Sequence, residues 1–164
     1  MSPQRADVVE CWIFRIAAAE RLEILLMRRA PGRIFAGLWQ CVTGRLEADE
    51  HTPLAALREV AEETGFGADD IEVAYDLDQT VHFYDEDADA LVASVLFAVR
   101  VRAHAEPVLS HEHDAARWAE PEEALRLAIW PSYRESIERI RTQLLDPDLR
   151  PWFQLGPDGR RLRR

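Results

Sequence analysis

The segment from Gly44 to Phe66 constrains this 164-residue chain more than any other. Within it, Thr52 reads as a helix N-cap, Pro53 as the first helical residue and Gly65 as the terminator just past the last turn. At about 100° per residue, Leu54, Leu57 and Ala61 share one face, while Glu59, Glu62 and Glu63 gather on the opposite one. One stripe is expected to pack on a neighbouring layer. The other is a cluster of like charges.

Such a cluster is unfavourable in a bare helix. Acidic pairs three or four residues apart each destabilise it by roughly 0.2–0.5 kcal/mol, and the helix dipole disfavours anions in the last turn. A cation among the carboxylates offsets both effects. Mg²⁺ takes oxygen ligands and is commonly shared between a few carboxylates and the phosphates of a substrate. The plain alternative is a solvated acidic face, the usual fate of a glutamate-rich helix.

The wider spacing favours the cation. Gly44 is followed by Glu50, then by Arg58, Glu59, Val60, Glu62, Glu63, Gly65 and Phe66. In spacing and residue type this stretch resembles the Nudix box, with every fixed position filled. The resemblance covers roughly Val8 to Leu145. It implies an α/β (α+β) fold in which a mixed β-sheet is sandwiched between α-helices, and metal-assisted hydrolysis of a diphosphate linkage. It also implies Mg²⁺, or Mn²⁺, held by Glu59, Glu62, Glu63 and the carbonyl of Gly44. A further Glu from a later loop completes the family pattern, and Glu112 stands at that position. Glu59 or Glu112 would then orient or deprotonate the water, and Arg58 would hold a box carboxylate.

Length and charge narrow the partners. The chain is long enough for one domain with its own core, without disulfides or metal staples. Residues 1–145 are expected to form that domain, and residues 146–164, broken by Pro147, Pro151, Gly156, Pro157 and Gly159, a poorly structured tail. A formal charge of −10 argues against a nucleic-acid polymer as partner, yet suits a small phosphorylated substrate bridged by metal. No apolar run is long enough for a membrane span, and the first residues lack a signal-peptide pattern. Cys11 and Cys41 read as small buried residues of a reducing compartment, which makes the cytoplasm the expected location. A homodimer is left open.

Along the chain, Val8–Ala17 and Leu22–Arg29 predict a β-hairpin ending in Arg28 and Arg29. Adjacent strand residues face opposite ways, so only one of the two arginines can enter a given cleft, and Arg28 is taken as the substrate contact. Trp39 to Thr43 predicts a short strand. Its Trp39, Gln40, Val42 and Thr43 before Gly44 resemble the Nudix subgroup acting on dihydroneopterin triphosphate and dATP. Gln79 to Phe83 resembles the same subgroup, which makes Thr43 and Phe83 candidate substrate contacts. Two positions depart from it: Ala6 and Asp7 stand where the subgroup is basic, and Ile129 stands where it has serine. Dinucleoside polyphosphates, ADP-ribose, sugar nucleotides and a non-catalytic nucleotide sensor therefore stay open. His111 and His113 invite a zinc reading, but no third ligand lies at a suitable spacing. Pro121–Ala128 and Pro131–Leu145 predict helices, the second with Tyr133, Ile137, Ile140 and Leu144 on one face.

Overall fold

Long β-branched and aliphatic runs build the centre of the molecule. The computed structural model describes residues 3–163. In it, β1 (Val8–Ile16) and β2 (Leu22–Arg29) pair as the expected antiparallel hairpin, in the register Ile13 opposite Leu25. Six consecutive residues of β1, from Val9 to Phe14, are buried, as befits a strand covered on both faces.

The strands that follow are β3 (Trp39–Gln40), β4 (Val42–Arg45), β5 (Ile71–Asp85), β6 (Ala90–Val101), β7 (His113–Ala119) and β8 (Gln154–Leu155). Among the described residues they form one sheet in the order β3-β2-β1-β6-β5-β8, with β4 paired to β1 and β7 to β2. β1 runs parallel to β6 and antiparallel to β2 and β4, so the sheet is mixed. Side chains alternate across it. Cys11, Ile13, Leu25 and Met27 face α1 (Thr52–Thr64), whereas Trp12, Phe14, Ile24 and Leu26 face α2 (Pro121–Leu127) and α3 (Pro131–Arg139). Each fully buried aliphatic side chain of these layers contributes about 1.5–3 kcal/mol.

Three expectations need correction. Helix α1 is capped by His51, with Thr52 already helical and no side-chain cap bond. Its buried stripe is Ala55, Ala56, Val60, Glu63 and Thr64; Leu54 and Ala61 are exposed and Leu57 is only partly covered. Small alanines let the helix lie close to β1 and β4, and this rotation carries Glu63 inward. The tail is also ordered. β8 pairs with β5 at Ala74 and Tyr75, Asp76 N–H donates to Phe153 O (2.9 Å), and Arg161 reaches Asp76 at 2.8 Å. Prolines are compatible with an edge strand that needs only a few backbone bonds.

The expected helix over 131–145 is α-helical to Arg139 and continues as a π-turn over Ile140–Leu144, with Ile137, Ile140 and Leu144 buried. Both cysteines are free and buried, on opposite faces of the sheet. Among the described residues no helix is long and apolar enough to cross a membrane.

Candidate active site

The last two turns of α1 carry the acidic cluster, and β4 and the loop before β7 bring partners to it. Gly65 ends the helix in the left-handed region (φ 73°), its N–H bonded to Ala61 O. The connection between β6 and β7 returns to this helix end: Val108 N–H donates to Thr64 O (2.9 Å) and Ser110 N–H to Glu63 O (3.1 Å). These two bonds deliver Glu112 to the carboxylates of the helix.

Arg58 organises the outer side of the cluster. Its guanidinium forks onto Glu50 (2.8 and 2.9 Å), donates to Glu59 Oε1 (2.7 Å) and to Arg45 O (3.1 Å), and stands 3.4 Å from Glu62. The bonds from Arg58, aided by Glu47 N–H, hold the Glu50 carboxyl down at about 2. Glu50 is thus an anchor for Arg58. Gly44 lies directly against Glu59: a Cβ there would stand 1.9 Å from the Glu59 carboxyl carbon and force that side chain to move.

The inner side is different. Glu63 is 4% exposed, and its Oε2 has no hydrogen-bond partner. Burial, followed by the charges of Glu112 and Glu59, pushes its pKa up to about 8, against a weaker opposing bond from the Thr43 backbone. Burial likewise raises Glu59. Behind Glu63 lies His113, also buried, with Nδ1 at 3.9 Å from Glu63 Oε2 and Nε2 at 3.1 Å from the Gln40 amide. Burial, and then Arg29, push His113 down to about 4, so its ring is neutral at pH 7 and forms no ion pair with Glu63. Arg29 in turn holds Glu112 at 3.2 Å.

Glu59, Glu63 and Glu112 interact electrostatically, Glu62 extends the cluster outward, and Arg58 and Gly44 touch Glu59. Arg28 is not part of this group. It shares the α3 face with Leu26, where it forks onto Asp114 (2.7 and 3.1 Å) beside Trp39. Alternation along β2 puts Arg29, with Leu25 and Met27, on the α1 face, so Arg29 is the arginine of the site. From the sequence alone, Arg28 is preferred to Arg29, Gln40 enters only as part of a resemblance and His113 only as a zinc candidate; alternation counted from Met27 could have chosen Arg29.

The other candidate residues lie across the sheet. Thr43 is half-buried and pairs with Glu10 across β1 and β4. Phe83 is 41% exposed, on the strand face shared with Gln79 and Val81. Gln79 bonds Ser132 O (3.0 Å) and accepts from Ser136 Oγ (2.8 Å), tying β5 to α3. Phe35 and Trp130 meet edge to face at 5.6 Å, and both remain exposed.

Oxygen ligands, converging charge and an unbonded buried carboxyl oxygen suit a hard divalent cation. Among the described residues no three acidic, histidine or cysteine side chains are yet gathered closely enough to enclose one. Two of the carboxylates are paired with arginines, Glu59 with Arg58 and Glu112 with Arg29.

Comparison with known proteins decides the family, because a NUDIX domain model matches residues 7–140. The chain belongs to the Nudix family. An octanoyltransferase of Myxococcus xanthus is 40% identical over 118 residues, 71% of this chain but 31% of that protein, so the Nudix chain spans under a third of this relative's length. The CTP pyrophosphohydrolase of Escherichia coli is 31% identical over 110 residues, 67% of this chain and 76% of its own length. Among solved structures, the E. coli dihydroneopterin triphosphate pyrophosphohydrolase superposes with a TM-score of 0.65 at 25% identity, covering 80% of this chain and 92% of that one. The mixed sheet between helices is therefore the Nudix fold.

Proposed function

We propose that this Nudix pyrophosphohydrolase cleaves a nucleoside or pterin triphosphate to the monophosphate and pyrophosphate, using Mg²⁺ held among Glu59, Glu62, Glu63, Glu112 and the carbonyl of Gly44. Glu63 carries the reading. A carboxyl this buried, with one oxygen unbonded and two acidic neighbours raising its pKa, has the character of a ligand to a hard cation, which supports the reading. Mn²⁺ suits the same oxygen ligands. The two E. coli proteins above are named for triphosphate substrates, which supports this substrate class.

When bound, the metal neutralises charge on the phosphate oxygens and lowers the pKa of the attacking water. The chain supplies the rest. Arg58, anchored by Glu50, fixes the orientation of Glu59. Glu59 or Glu112 aligns the water with the leaving oxygen and takes its proton. Arg29 exchanges Glu112 for a phosphate oxygen as substrate enters. Across the sheet, Thr43, Phe83 and the Phe35 and Trp130 rings receive the base or pterin.

The test is pyrophosphate release, with and without Mg²⁺, from a panel of dNTPs, dihydroneopterin triphosphate, dinucleoside polyphosphates and ADP-ribose. The expected result is metal-dependent pyrophosphate from a triphosphate, falling at least about 10³-fold in Glu59→Gln with an unchanged melting curve. No pyrophosphate from any triphosphate would overturn the reading.

A further inference from the structure

On the face of the sheet opposite α1, a second acidic group lies outside the catalytic cluster. Glu10 is 7% exposed in the middle of β1. Among the described residues it receives a weak hydrogen bond from the Cys41 thiol, at 3.9 Å from Oε2. Ser94, fully buried, lies near enough for its hydroxyl to lower the carboxyl's pKa, yet it falls short of a well-formed hydrogen bond. Among the described residues no cation pairs with Glu10. Trp12, two residues along the same face, also leaves its indole N–H unpartnered. A core rarely keeps a carboxyl in such company, because an unpaired buried charge is destabilising and an apolar side chain of similar volume is as good or better there.

The position gives a reason to keep it. Glu10 pairs directly with Thr43, whose backbone bonds Glu63, so the carboxyl stands one strand from the catalytic cluster. Tyr133, in the first turn of α3, packs edge-on against Trp12 at 5.2 Å. One turn before it, Trp130 meets Phe35 at the surface. Inward of these rings, Tyr133 lies against the Cys41 thiol, which bonds Glu10. A nucleotide with its phosphates among the glutamates of α1 and its ring between the surface aromatics would turn the edge of that ring toward this carboxyl.

We propose that Glu10 is the specificity-determining residue for the ring of the substrate, accepting a hydrogen bond from an exocyclic amino group. This rests on the triphosphatase reading above. An oxygen acceptor short of donors favours ring edges that carry an N–H₂ group: cytosine, adenine, guanine and the pterin ring. A facing amino group stabilises the ionised, acceptor-only form of Glu10, which disfavours the oxo counterparts, uracil and hypoxanthine, whose carbonyl oxygen would face the carboxylate.

Binding separates this assignment from the catalytic one. Calorimetric titration with CTP against UTP, and ATP against ITP, in Ca²⁺ in place of Mg²⁺, reads ring preference without requiring turnover. The wild-type protein is expected to bind the amino member of at least one pair about 10- to 100-fold more tightly. In Glu10→Leu that preference should fall to within about threefold, while affinity for the oxo member stays within about threefold of wild type. Glu10→Gln keeps an acceptor oxygen and should retain a preference of several-fold, which guards against misfolding of the leucine variant. Equal affinities in the wild type, no binding of any of the four, or a preference surviving in both folded variants would overturn the proposal. Failure of pyrophosphate release alongside a Glu10-dependent preference would instead remove only the catalytic reading.

Discussion

On the α1 face, Glu50, Glu59 and Glu62 meet Arg58, and Glu112 meets Arg29; on the α3 face Glu10 meets a thiol and a hydroxyl. The contrast lies in what each face can exchange. Ion pairs at partly exposed arginines can be traded for a cation or a phosphate, because every partner in the exchange is charged and wet. A carboxyl walled by neutral groups cannot trade charges; it can only select among neutral hydrogen-bonding edges. Under the proposed function the sheet would separate phosphate chemistry from ring recognition, with β4 carrying Gly44 toward Glu59 and Thr43 opposite Glu10.

Gly44→Ala should break the α1 side hardest. The new Cβ would occupy the space of the Glu59 carboxyl, which must swing away from its bond to Arg58. We expect a loss of about 100-fold in kcat, with ring preference in the binding assay unchanged. Measured turnover within a fewfold of wild type would mean that the close approach of β4 and Glu59 is dispensable.

The two arginines of β2 sharpen the comparison at a smaller scale. Arg29→Ala removes the partner of Glu112 on the catalytic face, and KM for the triphosphate should rise about tenfold. Arg28→Ala removes an exposed fork to Asp114 on the other face, and steady-state parameters should stay within about twofold. Reversal of these two results would restore Arg28 as the substrate contact that the sequence suggested.

That reversal in expectation shows where sequence reading stops. The hairpin, α1 and the long strands were legible because strand alternation, proline starts and the Gly65 stop are local signals. The box glutamates were legible from spacing. The buried stripe of α1 was not, because a hydrophobicity count favours Leu54, Leu57 and Ala61 over Ala55, Ala56 and the buried acid Glu63. The tail was misjudged for a related reason: β8 is two residues held by the edge of β5 and by Arg161 on Asp76, contacts that Pro and Gly content does not encode. Glu10 was invisible, since one glutamate in a strand reads as an exposed position until the neighbours on both sides are known.

The smallest expected effect lies in the pH dependence of stability, and it belongs to the α3 face. Burial raises the pKa of Glu10 above its ordinary 4.5, partly opposed by Ser94 and Cys41. A raised carboxyl binds its proton more tightly in the folded protein than in the unfolded chain. Its stabilising contribution is thus complete below pH 4.5 and drains away as pH rises through the folded value. Glu10→Gln removes this limb, so the difference in melting temperature, variant minus wild type, should grow as pH rises from 4.5 and then level off. The slope can be no steeper than about 4 °C per pH unit for a chain of this size. Other titrating groups cancel in the difference, including Glu50, whose depressed pKa works in the opposite sense and acts only as pH falls from 4.5 toward about 2. A flat difference between pH 4.5 and 8 would mean that Glu10 is solvated in the free protein, and the asymmetry between the two faces would lose its electrostatic basis.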